Sequence, residues 1–252
     1  VLFIFCTCFS VTFHVSSQTG SDTADGLTSN NSLKTIAEAI NKAWYNDTII
    51  LAPDTFYEHS LHVQRHITLI GDDSTKSVVN AQELDRILLV DQFTNVTIKN
   101  ITLTNGKSLS PNVDAEKGQG GAIFSRGRLR IENCAIRNSK SADGYGYTYD
   151  GVGASGGAIY SADSLFVSNC HISFNTCGIG NAAASGHGGA IYSTGYLYIS
   201  NSVFNRNSGG VGGTYSQGGN GGAILNEGNA DISNTSFISN NAGNGGGGAN
   251  RS

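Results

Sequence analysis

Gly120-Gly121-Ala122-Ile123 is a stretch that the chain repeats three more times. The other copies begin at Gly156, Gly188 and Gly221, so successive starts lie 36, 32 and 33 residues apart. Self-similarity at such a period indicates a repeat architecture. The length variation falls in a linker rich in Gly, Ser, Tyr and Asn, which follows a part of constant length. A constant part followed by a variable loop is typical of one coil of a solenoid.

Apolar residues recur at fixed distances from the first glycine of each copy. In the first copy they are Ile123, Leu129, Ile131 and Ile136. The spacing of two between the middle pair is strand periodicity and not the 3.6 of a helix. An Asn thirteen residues after each glycine marks a corner, since Asn and Gly tolerate the left-handed conformation. We therefore predict about three short strands in each coil.

Stacking of the coils follows from these strands, because no single strand can bury its inner face alone. Coils about 4.8 Å apart, each strand pairing in parallel with its counterpart above, bury a continuous core. The sequence therefore predicts an all-β fold, a right-handed parallel β-helix.

The repeats also carry a family resemblance. GGAIFS, GGAIYS, GGAIYS and GGAILN, followed by FNRN (204–207) and FISN (237–240), resemble the repeats of polymorphic outer-membrane proteins. They are also similar to adhesin-like β-helix proteins on the surfaces of methanogenic archaea. The resemblance covers about residues 96–240. It implies a β-helix that serves as a surface adhesin, in the first family exported as an autotransporter.

Residues 1–17 are apolar and end in small residues, which predicts a secretory signal peptide with cleavage near Gln18. The alternative is a membrane anchor, although the run is short for a span of about 20 residues. We expect a secreted or cell-surface protein with one β-helix domain over residues 18–252. A membrane would be involved only through an anchor or export domain outside this sequence.

Residues 32–44 carry apolar side chains at helical spacing and predict an amphipathic helix that Asn31 or Ser32 caps. Such a helix would cover the open end of the first coil. Early coils are expected over 46–106 and the GGAI coils over 107–252, the last of them cut short, as in a piece of a longer protein. The segment from Gly20 to Tyr57 resembles the N-terminal part of secreted β-helix proteins, including polysaccharide lyases.

The composition of the chain argues against one class of binding partner, nucleic acid. The net charge of −4 gives no basic surface for nucleic acid. Arg126, Arg128 and Arg130 occur in one coil alone and are interpreted as a solvated strand face. The resemblance to surface adhesins implies a carbohydrate or surface-protein ligand.

Cysteine and histidine residues give no metal or cofactor signature, so none is predicted. Cys134 and Cys170 occupy one column one coil apart, which permits either a disulfide or a ladder of thiols that Ser202 and Thr235 continue. His59, His62 and His66 are expected to face solvent without converging.

Two functional hypotheses remain, with a purely structural stalk as a third. The first is an adhesin-like scaffold without catalysis. Loop residues, mostly tyrosines, would contact the ligand, because aromatic side chains can stack on sugar rings. These are Tyr145, Tyr147, Tyr149, Asp150 and Tyr215. The alternative is a polysaccharide lyase or glycoside hydrolase, which needs acids gathered on one face. Candidates from the early coils are Asp72, Asp73, Asp85, Asp91 and Lys99.

Overall fold

A computed structural model describes residues 10–109, 118–144, 151–181, 183–214 and 216–247. Its strands, in chain order, are β1 (Thr12–Val15), β2 (Asp47–Leu51), β3 (Thr55–Phe56), β4 (Leu61–Val63), β5 (Ile67–Gly71), β6 (Val78–Asn80), β7 (Leu88–Val90), β8 (Asn95–Lys99), β9 (Thr102–Thr104), β10 (Ile123–Ser125), β11 (Arg128–Glu132), β12 (Ala135–Arg137), β13 (Ile159–Ser161), β14 (Leu165–Ser168), β15 (His171–Ser173), β16 (Ile191–Ser193), β17 (Leu197–Ser200), β18 (Val203–Asn205), β19 (Ile224–Asn226), β20 (Ala230–Ser233) and β21 (Ser236–Ile238).

The strands form three parallel sheets. Sheet A is β1-β2-β5-β8-β11-β14-β17-β20, sheet B is β3-β6-β9-β12-β15-β18-β21, and sheet C is β4-β7-β10-β13-β16-β19. From β2 onward each coil runs through sheets A, B and C in turn, so the chain winds through about six turns of a right-handed β-helix. The predicted fold is confirmed.

The inner columns of the three sheets form one apolar core. Leu129 pairs with Leu165 and Leu165 with Leu197, and all three are fully buried. Neighbouring outward positions are exposed or half-buried, as the alternation of a strand requires. The strand periodicity in the sequence therefore locates the core correctly.

The Gly-Gly pair is a steric requirement at the turn into sheet C. Gly156 has φ +68°, and a Cβ on it would lie 2.4 Å from the Ile159 carbonyl oxygen. A Cβ on Gly157 would lie 2.2 Å from the carbonyl oxygen of Gly189, its counterpart in the next coil. The first glycine thus supplies a left-handed turn and the second allows two coils to approach.

The corner between sheets A and B uses asparagine in the left-handed conformation, as predicted. The residues are Asn100, Asn133, Asn169, Asn201 and Asn234, with φ of 57°, 54°, 54°, 48° and 46°. The side chain after each of the last four donates to the carbonyl two residues before it. The donors and distances are Cys134 Sγ at 3.2 Å, Cys170 Sγ at 3.1 Å, Ser202 Oγ at 2.8 Å and Thr235 Oγ1 at 2.8 Å. A thiol or hydroxyl therefore serves equally in this column.

Cys134, Cys170 and Cys177 are buried free thiols, so the structure has the ladder and not the disulfide. Burial raises the pKa of Cys134 to about 12, that of Cys170 to about 11 and that of Cys177 to about 12. Because the thiolate is the reactive form, we expect the folded protein at pH 8 to leave all three unmodified by Ellman's reagent. Unfolding in denaturant should release three equivalents of thiol from these residues. Rapid modification of any of them in the folded protein would contradict this packing.

Helix α1 (Ile36–Lys42) is shorter than the predicted 32–44, and its N-cap is Thr35, not Asn31 or Ser32. The start is moved by two distant carboxylates. Asp22 accepts from the backbone N–H of Thr35, and Glu58 accepts from those of Ile36 and Ala37. The buried side of α1 joins the core and packs against β4, β1 and β2. Within the described ranges no helix has the length and hydropathy to cross a membrane.

Strand β1 lies inside the segment predicted to be a signal peptide. Phe13 and Val15 of this strand are buried, and β1 pairs along its whole length with β2. Cleavage near Gln18 would remove this strand and uncover Ile49 and Leu51, which are fully buried. The signal peptide, secretion and a surface location all stay predictions.

Candidate functional site

The outer face of sheet C gathers charged side chains between β4 and β10. His62, Leu89 and Phe124 form one outward column across β4, β7 and β10. The flanking residues Leu61 and Val63 are buried, so the alternation of the strand turns His62 outward. We call this region the sheet C site. It comprises His59, Ser60, His62, Gln64, Asp85, Arg86, Asp91, Phe124 and Arg126.

An imidazole–carboxylate pair lies at the edge of the site nearer sheet A. His62 Nε2 is 2.9 Å from Asp91 Oδ1, and Gln64 Nε2 donates to Asp91 Oδ2 at 3.3 Å. Burial raises the pKa of Asp91. The hydrogen bonds from His62 and Gln64, with the charges of His62 and Arg126, outweigh burial and leave this pKa below its usual value. Asp91 is therefore ionised at neutral pH and orients the His62 ring.

A second hydrogen-bonded group lies at the opposite edge of the site. Ser60 Oγ donates to Asp85 Oδ2 at 2.6 Å, and His59 Nδ1 lies 3.0 Å from the same hydroxyl. The backbone N–H of Arg86 binds the other Asp85 oxygen at 2.7 Å. Ser60 has φ +55°, a left-handed conformation that is uncommon for serine. This backbone conformation and the 2.6 Å bond fix the hydroxyl beside the carboxylate.

Two guanidinium groups and an aromatic ring form the floor between these edges. Arg86 and Arg126 lie 5.1 and 5.4 Å from the centroid of the Phe124 ring. Phe124 is only 2% exposed, and the two arginines and Tyr160 pack against it. Such cation–π contacts hold the guanidinium groups in place beside the ring.

The aromatic column continues away from the site as a structural stack. Tyr160 lies 5.2 Å from Phe124 on one side and 5.2 Å from Tyr192 on the other, with ring planes within 20°. Tyr192 donates to Glu227 at 2.6 Å, and burial together with this bond raises the Tyr192 pKa well above its usual value. Because neighbouring rings cover each other's faces, this stack stabilises the sheet and offers little face to a sugar.

The acids and the lysine that the sequence offered as catalytic candidates lie in different parts of the structure. Asp85 and Asp91 reach the sheet C site. Asp72 and Asp73 lie between sheets A and B, where Asp72 is 3.5 Å from Lys76, and Lys99 is on sheet A, 2.8 Å from Glu132. The five candidates therefore do not form one group, because they lie on different sides of the β-helix.

The three histidines do not converge, as expected, whereas one of the three arginines differs from the expectation. His59, His62 and His66 bind Ser60, Asp91 and the Asn95 N–H respectively, so each has its own partner. The interpretation of the three arginines as one solvated face is wrong for Arg126, which packs on Phe124 in sheet C. Arg128 and Arg130 are on sheet A, 5.9 and 4.7 Å from the Phe166 ring centroid.

The predicted binding residues Tyr145, Tyr147, Tyr149, Asp150 and Tyr215 lie outside the described residues. Their role stays a prediction. Nearby, Asp143 accepts from Lys140 Nζ at 2.6 Å and from the Ile179 N–H at 2.8 Å, so the start of that loop is tied to the next coil.

No protein-family model matches the chain, and no curated protein matches it. The solved structures that resemble it include two pectin methylesterases. Pectin methylesterase PemA from Erwinia chrysanthemi is 15% identical, with a TM-score of 0.44 over 79% of this chain and 56% of that one. A pectin methylesterase in complex with a hexasaccharide is also 15% identical, with a TM-score of 0.45 over 92% of this chain and 67% of that one. The chain thus spans little more than half of the first structure.

Two sequence expectations change with these findings. The prediction that the chain is not an enzyme is wrong: the solved structures that it resembles are enzymes. That prediction rested on the lack of an acid cluster in the repeats, whereas on sheet C Asp91 contacts the His62 ring and Asp85 is linked to His59 through the Ser60 hydroxyl. The resemblance to polymorphic outer-membrane proteins has no match among family models, so it supports the β-helix fold and not membership of that family.

Proposed function

We propose that the protein is a carbohydrate-active enzyme that acts on a polysaccharide at the sheet C site. The observation that carries the proposal is the His62–Asp91 pair, 2.9 Å apart, on the same face as the Ser60–Asp85 pair and two arginines. Reactions on polysaccharides, whether hydrolysis or elimination, require a proton acceptor and donor beside groups that hold hydroxyl or carboxyl oxygens.

His62 is the proposed general base. Its Nε2 is engaged with Asp91, which leaves Nδ1 to exchange a proton with the substrate or with water. The carboxylate fixes the ring orientation and stabilises the imidazolium that forms, as it does in other imidazole–carboxylate pairs. Gln64 in turn holds Asp91.

The remaining groups would bind and polarise the substrate. Arg126 places a positive charge beside Asp91, which suits a polysaccharide with carboxylate or ester groups. Arg86 is only 7% exposed and supports the floor of the site. Asp85 and Ser60 offer an acceptor and a hydroxyl for sugar hydroxyl groups. This assignment favours an acidic or esterified polysaccharide over a neutral one.

The test is turnover of polysaccharides by the full chain. Galacturonan with and without methyl esters, xylan and cellulose cover the acidic, esterified and neutral classes. Reducing ends, unsaturated products and released methanol distinguish hydrolysis, elimination and ester cleavage. We expect His62→Ala to lower kcat about 10²- to 10⁴-fold, the usual contribution of a general base.

His171→Ala is the matched control, because His171 is an exposed histidine on sheet B. It should turn over the substrate at the wild-type rate. Wild-type turnover by His62→Ala, or no binding and no product with any of these polysaccharides, would overturn the proposal.

A further inference from the structure

Three exposed aromatic side chains lie at the corner between sheets C and A, beside the sheet C site. Trp44 is 54% exposed, Tyr45 48% and Phe93 83%. Arg65 and His66 complete the group, which we call the aromatic corner. Large aromatic side chains gain most from burial, so a cluster of them left in water indicates a binding surface.

The register of sheet A places these residues in consecutive coils. Asp47 of β2 pairs with Ile67 of β5, which pairs with Val96 of β8. The residues three positions earlier are Trp44, Gln64 and Phe93. With coils about 4.8 Å apart, Trp44 and Phe93 are separated by about 10 Å along the axis, with Gln64 between them. Gln64 also binds Asp91, so the corner adjoins the proposed general base.

Side-chain contacts hold Trp44 and Tyr45 of the aromatic corner in place. The Arg65 guanidinium lies 4.8 Å from the Trp44 ring centroid and donates to the Ala43 carbonyl at 3.2 Å. Tyr45 meets Trp44 edge-on at 5.5 Å and His66 at 5.2 Å. His66 Nδ1 accepts from the Asn95 N–H at 2.9 Å. These two rings therefore lose little conformational entropy when a ligand binds.

Phe93 is the least expected of these residues on structural grounds alone. It has φ +63°, where a bulky side chain is an outlier and Gly or Asn is favoured. With 83% of the side chain exposed, packing does not compensate for this conformation. Backbone strain of this kind is common at binding sites, where it presents a side chain to a ligand.

We propose that the aromatic corner is a subsite for sugar rings of the same polysaccharide chain, next to the unit that reacts at His62. The apolar faces of two pyranose rings would pack on Trp44 and Phe93, while Gln64 and Arg65 bind hydroxyl groups. A pyranose unit is comparable in length with the coil spacing of about 4.8 Å, so the two aromatic side chains match units two apart. This inference rests on the proposed function and assigns the corner to binding, not to catalysis.

Trp44 is the only tryptophan of the chain, so its fluorescence reports directly on this subsite. The probes are hexasaccharides of galacturonic acid, of its methyl ester, of xylose and of glucose. We expect a saturable change of Trp44 emission with at least one of them. Phe93→Gly should weaken binding about tenfold and raise KM while leaving kcat near the wild-type value, since loss of one stacked ring corresponds to roughly that factor.

The choice of glycine separates binding from folding. Phe93→Gly removes the ring and also relieves the left-handed strain, so the variant should be at least as stable as the wild type in urea. Phe174→Gly is the matched control, because Phe174 is 47% exposed, has φ +57° and lies under Arg206 at 5.6 Å, but is at the end of sheet B. Phe174→Gly should be as stable as Phe93→Gly and should bind the hexasaccharide with the affinity of the wild type.

Wild-type affinity and KM in both Phe93→Gly and Trp44→Ala, with turnover still lost in His62→Ala, would overturn the subsite and leave the proposed function intact. Calorimetry gives the affinity of Trp44→Ala, which lacks the fluorophore. If no hexasaccharide binds or reacts with the wild-type protein, the subsite and the proposed function both fail.

Discussion

Gly189→Ala is expected to lower the free energy of unfolding by more than about 4 kcal/mol, a loss that few single substitutions cause. The new Cβ would lie 2.1 Å from the Gly222 carbonyl oxygen and 2.5 and 2.6 Å from backbone atoms of Ser208. All three are main-chain atoms of stacked coils, so none can rotate away as a side chain would. Relief requires Gly189 to move away from the next coil, which contains Ser208 and Gly222, with loss of ladder hydrogen bonds.

Gly247→Ala is the control, because its Cβ would meet nothing within 4 Å. We expect a change within about 0.5 kcal/mol for that variant. Urea denaturation followed by circular dichroism measures both. Equal stability of Gly189→Ala and the wild type would show that the second glycine of the repeat is not required by coil stacking.

Asn207→Ala is expected to have the second largest effect, a loss of about 2–6 kcal/mol in the free energy of unfolding. Asn207 is fully buried. Its Oδ1 accepts from the backbone N–H and Nδ2 of Asn175 at 3.1 and 3.0 Å, and its Nδ2 donates to the Ile172 carbonyl at 2.9 Å. Alanine leaves the Asn175 N–H and the Ile172 carbonyl unpaired in the interior. Each such group costs about 1–3 kcal/mol.

Two further variants test this explanation. Asn205→Ala, two residues earlier on the outer side of β18, should change stability by no more than about 0.5 kcal/mol. Asn207→Asp keeps one oxygen but buries a charge, which raises the carboxyl pKa in the folded state. Its stability should therefore be greatest at low pH and fall as pH rises above the unfolded value of about 3.9. Stability of Asn207→Asp independent of pH would contradict a buried, fully bonded ladder.

The sequence predicts the repeating part of the molecule well because each structural feature there depends on residues within one coil or the next. The second glycine, the corner asparagines and the inner apolar columns each depend on residues within one coil or its neighbour at a nearly constant period. Asn175 and Asn207 could be aligned in one column from the sequence, although only the structure shows the hydrogen bonds between them.

The site was harder to predict because its contacts join coils that lack the repeat motif. His62 and Asp91 are 29 residues apart, and Ser60 and Asp85 are 25 apart. Without the motif the length of these early coils is not visible, so strand alternation could turn His62 outward but could not pair it with Asp91. The start of α1 was missed for the same reason, since Glu58 lies 22 residues beyond Ile36.

The sequence also assigned Trp44 to the helix by its spacing. The helix ends at Lys42, and the side chain is instead held by Arg65 at the corner of the next coil. A contact between coils thus overrides the helical pattern at this position. The tryptophan is thereby left exposed beside the sheet C site, where the proposed subsite would use it.

The most direct test of the central claim is the turnover of methyl-esterified and unesterified galacturonan by wild-type protein, His62→Ala and His171→Ala under identical conditions. We expect product from the wild type and from His171→Ala, and a kcat about 10²- to 10⁴-fold lower for His62→Ala. Equal rates for all three proteins would place the chemistry elsewhere and contradict the assignment of the sheet C site.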